Sequence, residues 1–172
     1  MTIDEAFRGA LKYETNVRDI YRDAAKGSRK PESRALYETL YREEQSHVDY
    51  LGRALSRWEH EGRIGAEGPE TAFPSLDEIR NVLARVESQN RNPDAEADLG
   101  GETEALSRAL AAEEKTSEYY RKMASELTSD ARKVFERFVE IEEGHTSIVR
   151  AQLDLVTRTG YWFDVREFDQ ED

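Results

Sequence analysis

The sequence predicts an all-α protein, a four-helix bundle built from two similar helical hairpins. Residues of high helix propensity (Ala, Glu, Leu and Arg) recur at helical spacing, and runs of β-branched residues are scarce. Four segments have the length of bundle helices, and one long connection separates the second from the third. With 172 residues, the chain fits one domain with a sizeable core.

Helix-end signals mark the first hairpin. Thr2 and Glu5 form a capping box that opens a helix running to about Lys26. The segment KGSRKP breaks that helix, and Pro31 suits the first turn of a second helix that runs to about Gly62. A short turn between two long helices indicates an antiparallel pair.

A long crossover is predicted between the two hairpins. Residues 63–74, RIGAEGPETAFP, read as a loop, and Ser75 with Glu78 then caps a shorter helix over residues 76–88. Residues 90–101, NRNPDAEADLGG, form a second predicted loop.

The second hairpin begins with a helix predicted from about Glu102 to Leu127. The residues TSD then turn the chain into the fourth long helix, which ends near Gly160. The bundle domain is therefore expected to span residues 1–160, followed by an aromatic and acidic tail at residues 161–172. The tail is too apolar for a free end, so we expect it to pack either on the bundle or on a partner chain.

An internal repeat relates the two hairpins. Two pairs of segments align, at offsets of 99 and 98: residues 10–25 with 109–124, and residues 34–51 with 132–149. The alignment pairs Glu14 with Glu113, Tyr21 with Tyr120, Glu44 with Glu142, and His47 with His145. Each hairpin therefore carries one Glu on its first helix and a Glu-x-x-His motif on its second.

Both Glu-x-x-His motifs are predicted to face the core, because residues three apart share a helix face and apolar residues flank each pair. The flanking residues are Leu36, Leu40, Leu51 and Leu55 on one helix, and Phe135, Phe138, Ile141, Ile148 and Val149 on the other. Within each hairpin the two Glu residues are about equally far from the turn, so they should lie level to within roughly one helical turn. Four carboxylates and two imidazoles are thus expected in one layer of the core.

Burying this layer without compensation would be prohibitive, since like charges in a dry interior repel one another and lose their solvation. Two divalent cations would balance four carboxylates, and each imidazole would supply a nitrogen ligand. Mixed carboxylate and imidazole ligation favours iron or manganese over metals that prefer thiolates.

This pattern resembles the ligand set of the ferritin-like di-iron carboxylate proteins. The two-hairpin repeat, and the Tyr seven residues after each first-helix Glu, are most similar to the rubrerythrin branch, and the resemblance covers about residues 5–155. It implies two iron ions as cofactors, with manganese as an alternative at one or both positions. The metal ligands it implies are Glu14, Glu44, His47, Glu113, Glu142 and His145, with Glu44 and Glu142 as bridges.

The chain departs from rubrerythrins in two respects. It contains no cysteine, and hence no rubredoxin-type iron centre of the kind that relays electrons in that branch. Rubrerythrins also have an additional carboxylate one turn beyond the third-helix Glu, where this chain has Thr116 and Ser117. Glu114 and Glu118 are expected on other faces of the helix and do not replace it.

Several polar residues near the motifs have more than one interpretation. Tyr21 and Tyr120 are either core residues with partnered hydroxyls or redox groups, and both roles are compatible with a hydrogen bond to a ligand carboxylate. His60 has Arg57 three places before it and is predicted to be a solvated surface residue. Three acids adjoin the proposed ligands but point about 100° away, so they should be solvated or bonded to the ligands: Glu43, Glu114 and Glu143.

The leading functional hypothesis is a di-iron oxidoreductase of peroxidase or ferroxidase type that reduces H₂O₂ or O₂ with electrons from an external donor. Two adjacent ferrous ions supply the two electrons that peroxide reduction needs. Two alternatives stay open: iron binding or storage without turnover, and a metal-free helical interaction module.

Charge and composition limit the expected partners and location. A net charge of −12 disfavours binding to nucleic acid and to anionic lipid. The first residues lack the pattern of a signal peptide, and no apolar run approaches membrane-spanning length, so a cytoplasmic protein is expected. The long crossover and the aromatic tail favour a homodimer over a hollow multimer.

Overall fold

The computed structural model describes residues 1–65, 67–89 and 101–159, and this part of the chain is helical and contains no strand. The predicted all-α class is therefore confirmed. The five helices are α1 (Ile3–Gly27), α2 (Pro31–Glu61), α3 (Leu76–Gln89), α4 (Glu102–Glu126) and α5 (Ser129–Thr159).

The helices begin and end close to where the sequence signals place them. At the start of α1, the Thr2 hydroxyl accepts a hydrogen bond from the Glu5 N–H (3.2 Å), and the Thr2 N–H donates to the Glu5 carboxylate (2.8 Å). Pro31 occupies the first turn of α2, and Gly62 ends that helix in the left-handed conformation (φ 68°). These local signals suffice because each satisfies backbone groups that a helix end leaves unpaired.

Antiparallel contacts connect the long helices in pairs. In the first pair, Ser28 bonds Ser33 beside the turn (2.7 Å), and Arg18 of α1 donates to Gln45 of α2 farther along (3.1 Å). In the second pair, ion pairs join α4 to α5: Arg121 to Glu143 (3.2 Å) and Arg150 to Glu114 (2.6 Å). The packing also places α1 against α4 and α3 against α5. The chain thus forms a helical bundle.

The buried apolar side chains form two clusters that lie on opposite sides of the Glu and His layer. The cluster near the α1–α2 turn includes Val17, Tyr21, Leu36, Leu40, Leu106, Ala109, Ile148 and Val149. The cluster near the α4–α5 turn includes Phe7, Ala10, Leu51, Leu55, Met123, Val134, Phe135 and Phe138. Along each long helix, the acids and imidazoles lie between members of one cluster and members of the other.

Among the residues that the structure describes, no helix combines the length and the apolar character needed to cross a membrane. The predicted aromatic tail, residues 161–172, lies outside the described residues.

Gly9 marks a close approach of α4 to α1. A Cβ atom at this position would overlap the hydroxyl end of Tyr119. The Tyr119 ring is held in place by stacking on Tyr13, with centroids 4.7 Å apart, and its hydroxyl donates to the Ala6 carbonyl (2.8 Å). Glycine is therefore required here by space, since the ring cannot yield without losing these contacts.

We predict that Gly9→Ala lowers the free energy of unfolding by about 1–3 kcal/mol, the usual range for overpacking a tight contact. The control is Gly52→Ala in α2, where the position is exposed and an added Cβ meets no atom within 4 Å. There the gain in helix propensity should stabilise the protein by about 0.5–1 kcal/mol. Urea unfolding measures both changes, and equal effects would contradict the close approach at Gly9.

Candidate metal centre

The structure brings all six predicted ligands together in the middle of the bundle. Their side chains are completely buried, with 0% relative exposure. Each long helix contributes: α1 and α4 one acid each, and α2 and α5 one Glu-x-x-His motif each. The six residues are Glu14, Glu44, His47, Glu113, Glu142 and His145.

The six residues form two overlapping groups, each with the composition of a metal site. One group consists of Glu14, Glu44, His47 and Glu142, and the other consists of Glu44, Glu113, Glu142 and His145. Within each group, one potential ligand atom from every residue lies within 4.8 Å of the others. Because Glu44 and Glu142 belong to both groups, they occupy the position of residues that bridge two ions.

The spacing around His47 is that of ligands arranged around one centre. Its Nδ1 atom lies 3.3 Å from Glu14 Oε2, 3.4 Å from Glu44 Oε2 and 3.6 Å from Glu142 Oε1. Ligand atoms about 2.1 Å from a shared ion, at angles between octahedral and tetrahedral, are separated by about 3.0–3.4 Å. The first group is thus nearly at ligating distances.

The second group is slightly wider. His145 Nδ1 lies 2.9 Å from Glu44 Oε1, 3.9 Å from Glu142 Oε2 and 4.0 Å from Glu113 Oε1. The contact with Glu44 lacks the angular geometry of a hydrogen bond. In both groups, Nδ1 is the imidazole nitrogen that lies within 4.0 Å of the carboxylate oxygens.

Two tyrosines hold the acids of α1 and α4 across the bundle. The Tyr21 hydroxyl of α1 donates to Glu113 of α4, and the Tyr120 hydroxyl of α4 donates to Glu14 of α1. Burial raises the pKa of both tyrosines well above 10.0, and the nearby carboxylates raise it further. Both hydroxyls therefore remain protonated donors at neutral pH and fix the orientation of the carboxylates.

Aromatic rings enclose the imidazoles. The His47 ring meets the edge of Phe138 at 5.4 Å, and the His145 ring meets Phe73 from the crossover at 5.4 Å. The two imidazoles are themselves nearly parallel, with centroids 5.5 Å apart. These rings exclude water from the layer and restrict the imidazole orientations.

Burial and mutual repulsion strongly disfavour the ionised form of three acids. Burial raises the pKa of Glu44 and of Glu142 well above 4.5, and neighbouring carboxylates raise both further. Burial also raises the pKa of Glu113 to about 7, although contacts with Glu142 and with the Tyr21 hydroxyl act in the opposite direction.

The pKa values of Glu14 and His145 are lowered. Burial alone would raise the pKa of Glu14, but contacts with Glu44, His47 and Tyr120 outweigh it and lower the pKa to about 2. Burial lowers the pKa of His145 to about 3, with a further contribution from His47. His145 is therefore neutral at physiological pH, the form in which an imidazole binds a metal.

Most polar atoms of the layer have no hydrogen-bond partner within the described structure. These atoms are both oxygens of Glu44 and of Glu142, Oε2 of Glu113, Nε2 of His47 and both ring nitrogens of His145. An unpaired buried polar atom costs about 1–3 kcal/mol, and more when it is charged. Carboxylate oxygens and neutral imidazole nitrogens are ligands of iron and manganese, so the donor set fits a pair of such divalent ions.

The acids beside the ligands differ in their surroundings. Glu114 and Glu143 are on the outer faces of their helices, where they pair with Arg150 and Arg121. Glu43 is buried, with 5% relative exposure, and its Oε1 atom accepts three hydrogen bonds from the crossover. The expectation that Glu43 is solvated, as Glu114 and Glu143 are, is therefore wrong.

The reason for this error is the crossover. The sequence shows on which helix face Glu43 lies, but it does not show that residues 71–73 of the crossover pack on that face. A weak signal was present, since the Thr71 hydroxyl and the N–H groups of Ala72 and Phe73 lie in the predicted loop 63–74 and need acceptors from elsewhere. His60 is exposed and its Nδ1 bonds the Ser56 carbonyl (2.7 Å), as expected for a surface residue.

Small hydroxyl residues occupy the region where rubrerythrins have a further carboxylate. Thr116 is completely buried, and its hydroxyl donates to the Ala112 carbonyl of its own helix (3.0 Å). Ser117 is also buried. Among the described residues, the layer therefore contains four acids, which matches the charge of two divalent ions.

Comparison of the chain with protein-family models, with curated proteins and with solved structures found no match. The resemblance to the ferritin-like proteins rests on the motifs and their spacing.

We predict that His145→Ala weakens binding of metal by more than the roughly 10–100-fold that loss of an outer contact to a metal ligand costs, because the substitution removes a directly ligating nitrogen. His60→Ala serves as the control, since that imidazole is exposed and far along α2 from the layer. Calorimetric titration of the metal-free proteins with Fe²⁺ under argon, or with Mn²⁺, measures the difference. Equal affinities for the two variants would show that His145 is not a ligand.

We predict that the free energy of unfolding of the metal-free protein falls as pH rises from about 4.5 to about 7. Glu113 keeps its proton in the folded state until about pH 7, whereas the unfolded chain loses it near 4.5, so the folded form binds more protons in this window. The difference corresponds to about 3 kcal/mol from Glu113, and Glu44 and Glu142 act in the same direction. Glu14 and His145 have the opposite sign. The contribution of Glu14 is lost only below pH 4.5, whereas that of His145 grows up to about pH 6.5 and offsets part of the fall caused by the three acids.

Urea unfolding at several pH values measures this dependence. Glu113→Gln should flatten the part of the curve that ends near pH 7, and bound metal should flatten all of it, because cations stabilise the ionised ligands. A metal-free protein whose stability rises between pH 4.5 and 7 would contradict the shared buried layer.

Proposed function

We propose that this chain is a ferritin-like, rubrerythrin-like protein that binds two iron ions and reduces H₂O₂ or O₂. The proposal rests chiefly on one observation: two groups of three acids and one imidazole, all buried, share Glu44 and Glu142. Manganese at one or both positions satisfies the same ligands.

Charge supports a metal pair over a metal-free core. Four carboxylates balance two divalent ions, whereas a metal-free layer leaves polar atoms of Glu44, Glu142 and His145 unpartnered. Ordinary buried polar groups find partners within the protein, so a concentration of unpartnered atoms at one level indicates a ligand from outside the chain.

The fold supports the ferritin-like assignment because the proposed ligands of the two helix pairs lie in the same layer of the bundle. Glu14 contacts His47 within the first helix pair, and Tyr21 and Tyr120 join the acids of the two pairs across the bundle. This arrangement is what two copies of one helical hairpin produce when their ligand faces meet, in agreement with the repeat in the sequence.

When bound, two ferrous ions supply two electrons, which together with two protons convert H₂O₂ into two water molecules. The contribution of the chain is positional. Glu14 and Glu113 are held by the tyrosine hydroxyls, His47 and His145 are oriented by Phe138 and Phe73, and the two apolar clusters exclude bulk water. Electrons for repeated turnover would come from an external donor, since the chain has no cysteine for an iron–sulfur or rubredoxin-type relay.

We predict that the protein binds two metal ions per chain and that its ferrous form is oxidised rapidly by H₂O₂, by O₂ or by both. Elemental analysis after anaerobic iron loading measures the first quantity, and stopped-flow absorbance with each oxidant measures the second. The control is Glu44→Gln with Glu142→Gln, which removes both bridging carboxylates while retaining the size of the side chains.

The outcomes separate the candidate functions. Two bound ions with fast oxidation support the oxidoreductase, and two ions with oxidation no faster than free Fe²⁺ indicate iron binding or storage. A wild-type protein that binds neither iron nor manganese would overturn the metal proposal and favour a helical interaction module.

A further inference from the structure

Glu43 clamps one segment of the crossover beside the metal-binding layer. A single carboxylate oxygen, Oε1, accepts three hydrogen bonds: from the Thr71 hydroxyl (2.5 Å), the Ala72 N–H (2.7 Å) and the Phe73 N–H (3.2 Å). The side chain is buried and next to the bridging residue Glu44. Hydrogen bonds to a charged acceptor are among the stronger ones in proteins, so the segment is held firmly.

The clamp places Phe73 on a metal-ligand residue. The Phe73 ring meets the His145 imidazole edge-on, at 5.4 Å between centroids and 74° between planes. The Nδ1 atom of His145 faces the carboxylates, 2.9 Å from Glu44 Oε1. Phe73 therefore covers a side of the imidazole and closes the layer toward the crossover.

A cavity of about 390 Å³ lies beyond Phe73, between the crossover and α5. Phe73 and Ile79 line it from the crossover side, and Ile141 and Gly144 line it from α5. Phe73 both lines this cavity and contacts His145, so its ring separates a space of small-molecule size from the metal-binding layer.

Within the described residues, only one half of the repeat has this cover. At the offset of 98, the counterpart of Glu43 is Ile141, whose side chain cannot accept a hydrogen bond. The counterpart imidazole, His47, is covered instead by Phe138 from within the bundle. The crossover thus gives the His145 side a cover that is held by three hydrogen bonds rather than by core packing.

We infer that the segment 71–73, clamped by Glu43, is a lid over the His145 side of the metal pair that retains the ions and restricts the oxidant to molecules as small as H₂O₂ or O₂. This inference rests on the proposed function. An organic hydroperoxide would take the same two electrons and two protons, breaking its O–O bond to give an alcohol and water, but its bulk requires the lid to open. Glu43 is accordingly a positioning residue, acting through Phe73.

The test compares Glu43→Leu with Glu43→Gln in the full chain. Both substitutions remove the charge, but only Gln keeps an oxygen in the place of Oε1, so the difference between them isolates the clamp. Tyr50→Phe is the matched control, because it removes a different hydrogen bond to the same loop, from the Tyr50 hydroxyl to the Glu67 carbonyl (2.5 Å). Phe73→Ala removes the ring of the lid while leaving Glu43 unchanged, and it replaces Glu43→Leu in the test if that variant does not fold.

Three measurements are made. Amide hydrogen exchange in the metal-free protein reports the N–H groups of Ala72 and Phe73. Transfer of bound Mn²⁺ to a chelator reports retention, and oxidation of the ferrous protein by H₂O₂ and by cumene hydroperoxide reports the size limit.

In Glu43→Leu, the amides of Ala72 and Phe73 should lose their protection from hydrogen exchange. Glu43→Leu and Phe73→Ala should both release metal at least about tenfold faster than the wild type. A tenfold change in rate corresponds to about 1.4 kcal/mol, and the clamp comprises several hydrogen bonds. In the same two variants, the rate constant for oxidation by H₂O₂ divided by that for oxidation by cumene hydroperoxide should fall by a similar factor. Glu43→Gln should change these quantities less than Glu43→Leu does, because its uncharged oxygen accepts the same hydrogen bonds more weakly, and Tyr50→Phe should stay within about twofold of the wild type.

Metal release and oxidant ratio unchanged in Glu43→Leu and Phe73→Ala, with two ions bound, would overturn the lid and leave the proposed function intact. Equal changes in Glu43→Leu and Glu43→Gln would also overturn it, because the charge rather than the clamp would then be responsible. A wild-type protein without bound metal would overturn both.

Discussion

The fold depends on keeping four carboxylates and two imidazoles in one layer between two apolar clusters. Two like charges about 4 Å apart repel by about 4 kcal/mol at an effective dielectric constant of about 20. A whole domain is stable by only about 5–15 kcal/mol, so several such repulsions cannot be tolerated together. Protons or cations must therefore compensate the layer, and the raised pKa values of Glu44, Glu113 and Glu142 show how strongly the ionised form is disfavoured without cations.

Stability alone does not explain such a layer. Apolar side chains of similar volume would fill the same space and commonly give equal or greater stability than buried charges. The surrounding structure instead holds the polar groups in place, since Tyr21 and Tyr120 fix acids of the opposite helix pair and Phe138 packs on His47. Side chains fixed before a ligand arrives lose less entropy on binding it, which is how a preorganised metal site gains affinity.

Much of this arrangement follows from the sequence, because helix periodicity and end signals are local. The capping box at Thr2, the helix start at Pro31 and the shared face of each Glu-x-x-His motif require no knowledge of the tertiary structure. Contacts between distant segments could not be read in this way. Helix periodicity correctly predicted that Glu43 points away from the layer, but it did not reveal that the crossover packs on Glu43. It also did not reveal that the Tyr119 side chain of α4 lies against α1 at Gly9.

The inequality of the two halves is a consequence of connectivity. Two similar hairpins can present similar ligands to a common layer, but a single chain joins them through one crossover. That crossover packs on α5 through α3 and Phe73, so the imidazole of α5 receives a cover from outside the bundle. In the described part of the chain, the imidazole of α2 is covered by Phe138 from within the bundle. Glu43 of α2 then ties this cover back to the first hairpin. A sequence repeat can thus specify two equivalent sets of acids and imidazoles, and the single connection between the copies is what makes their surroundings different.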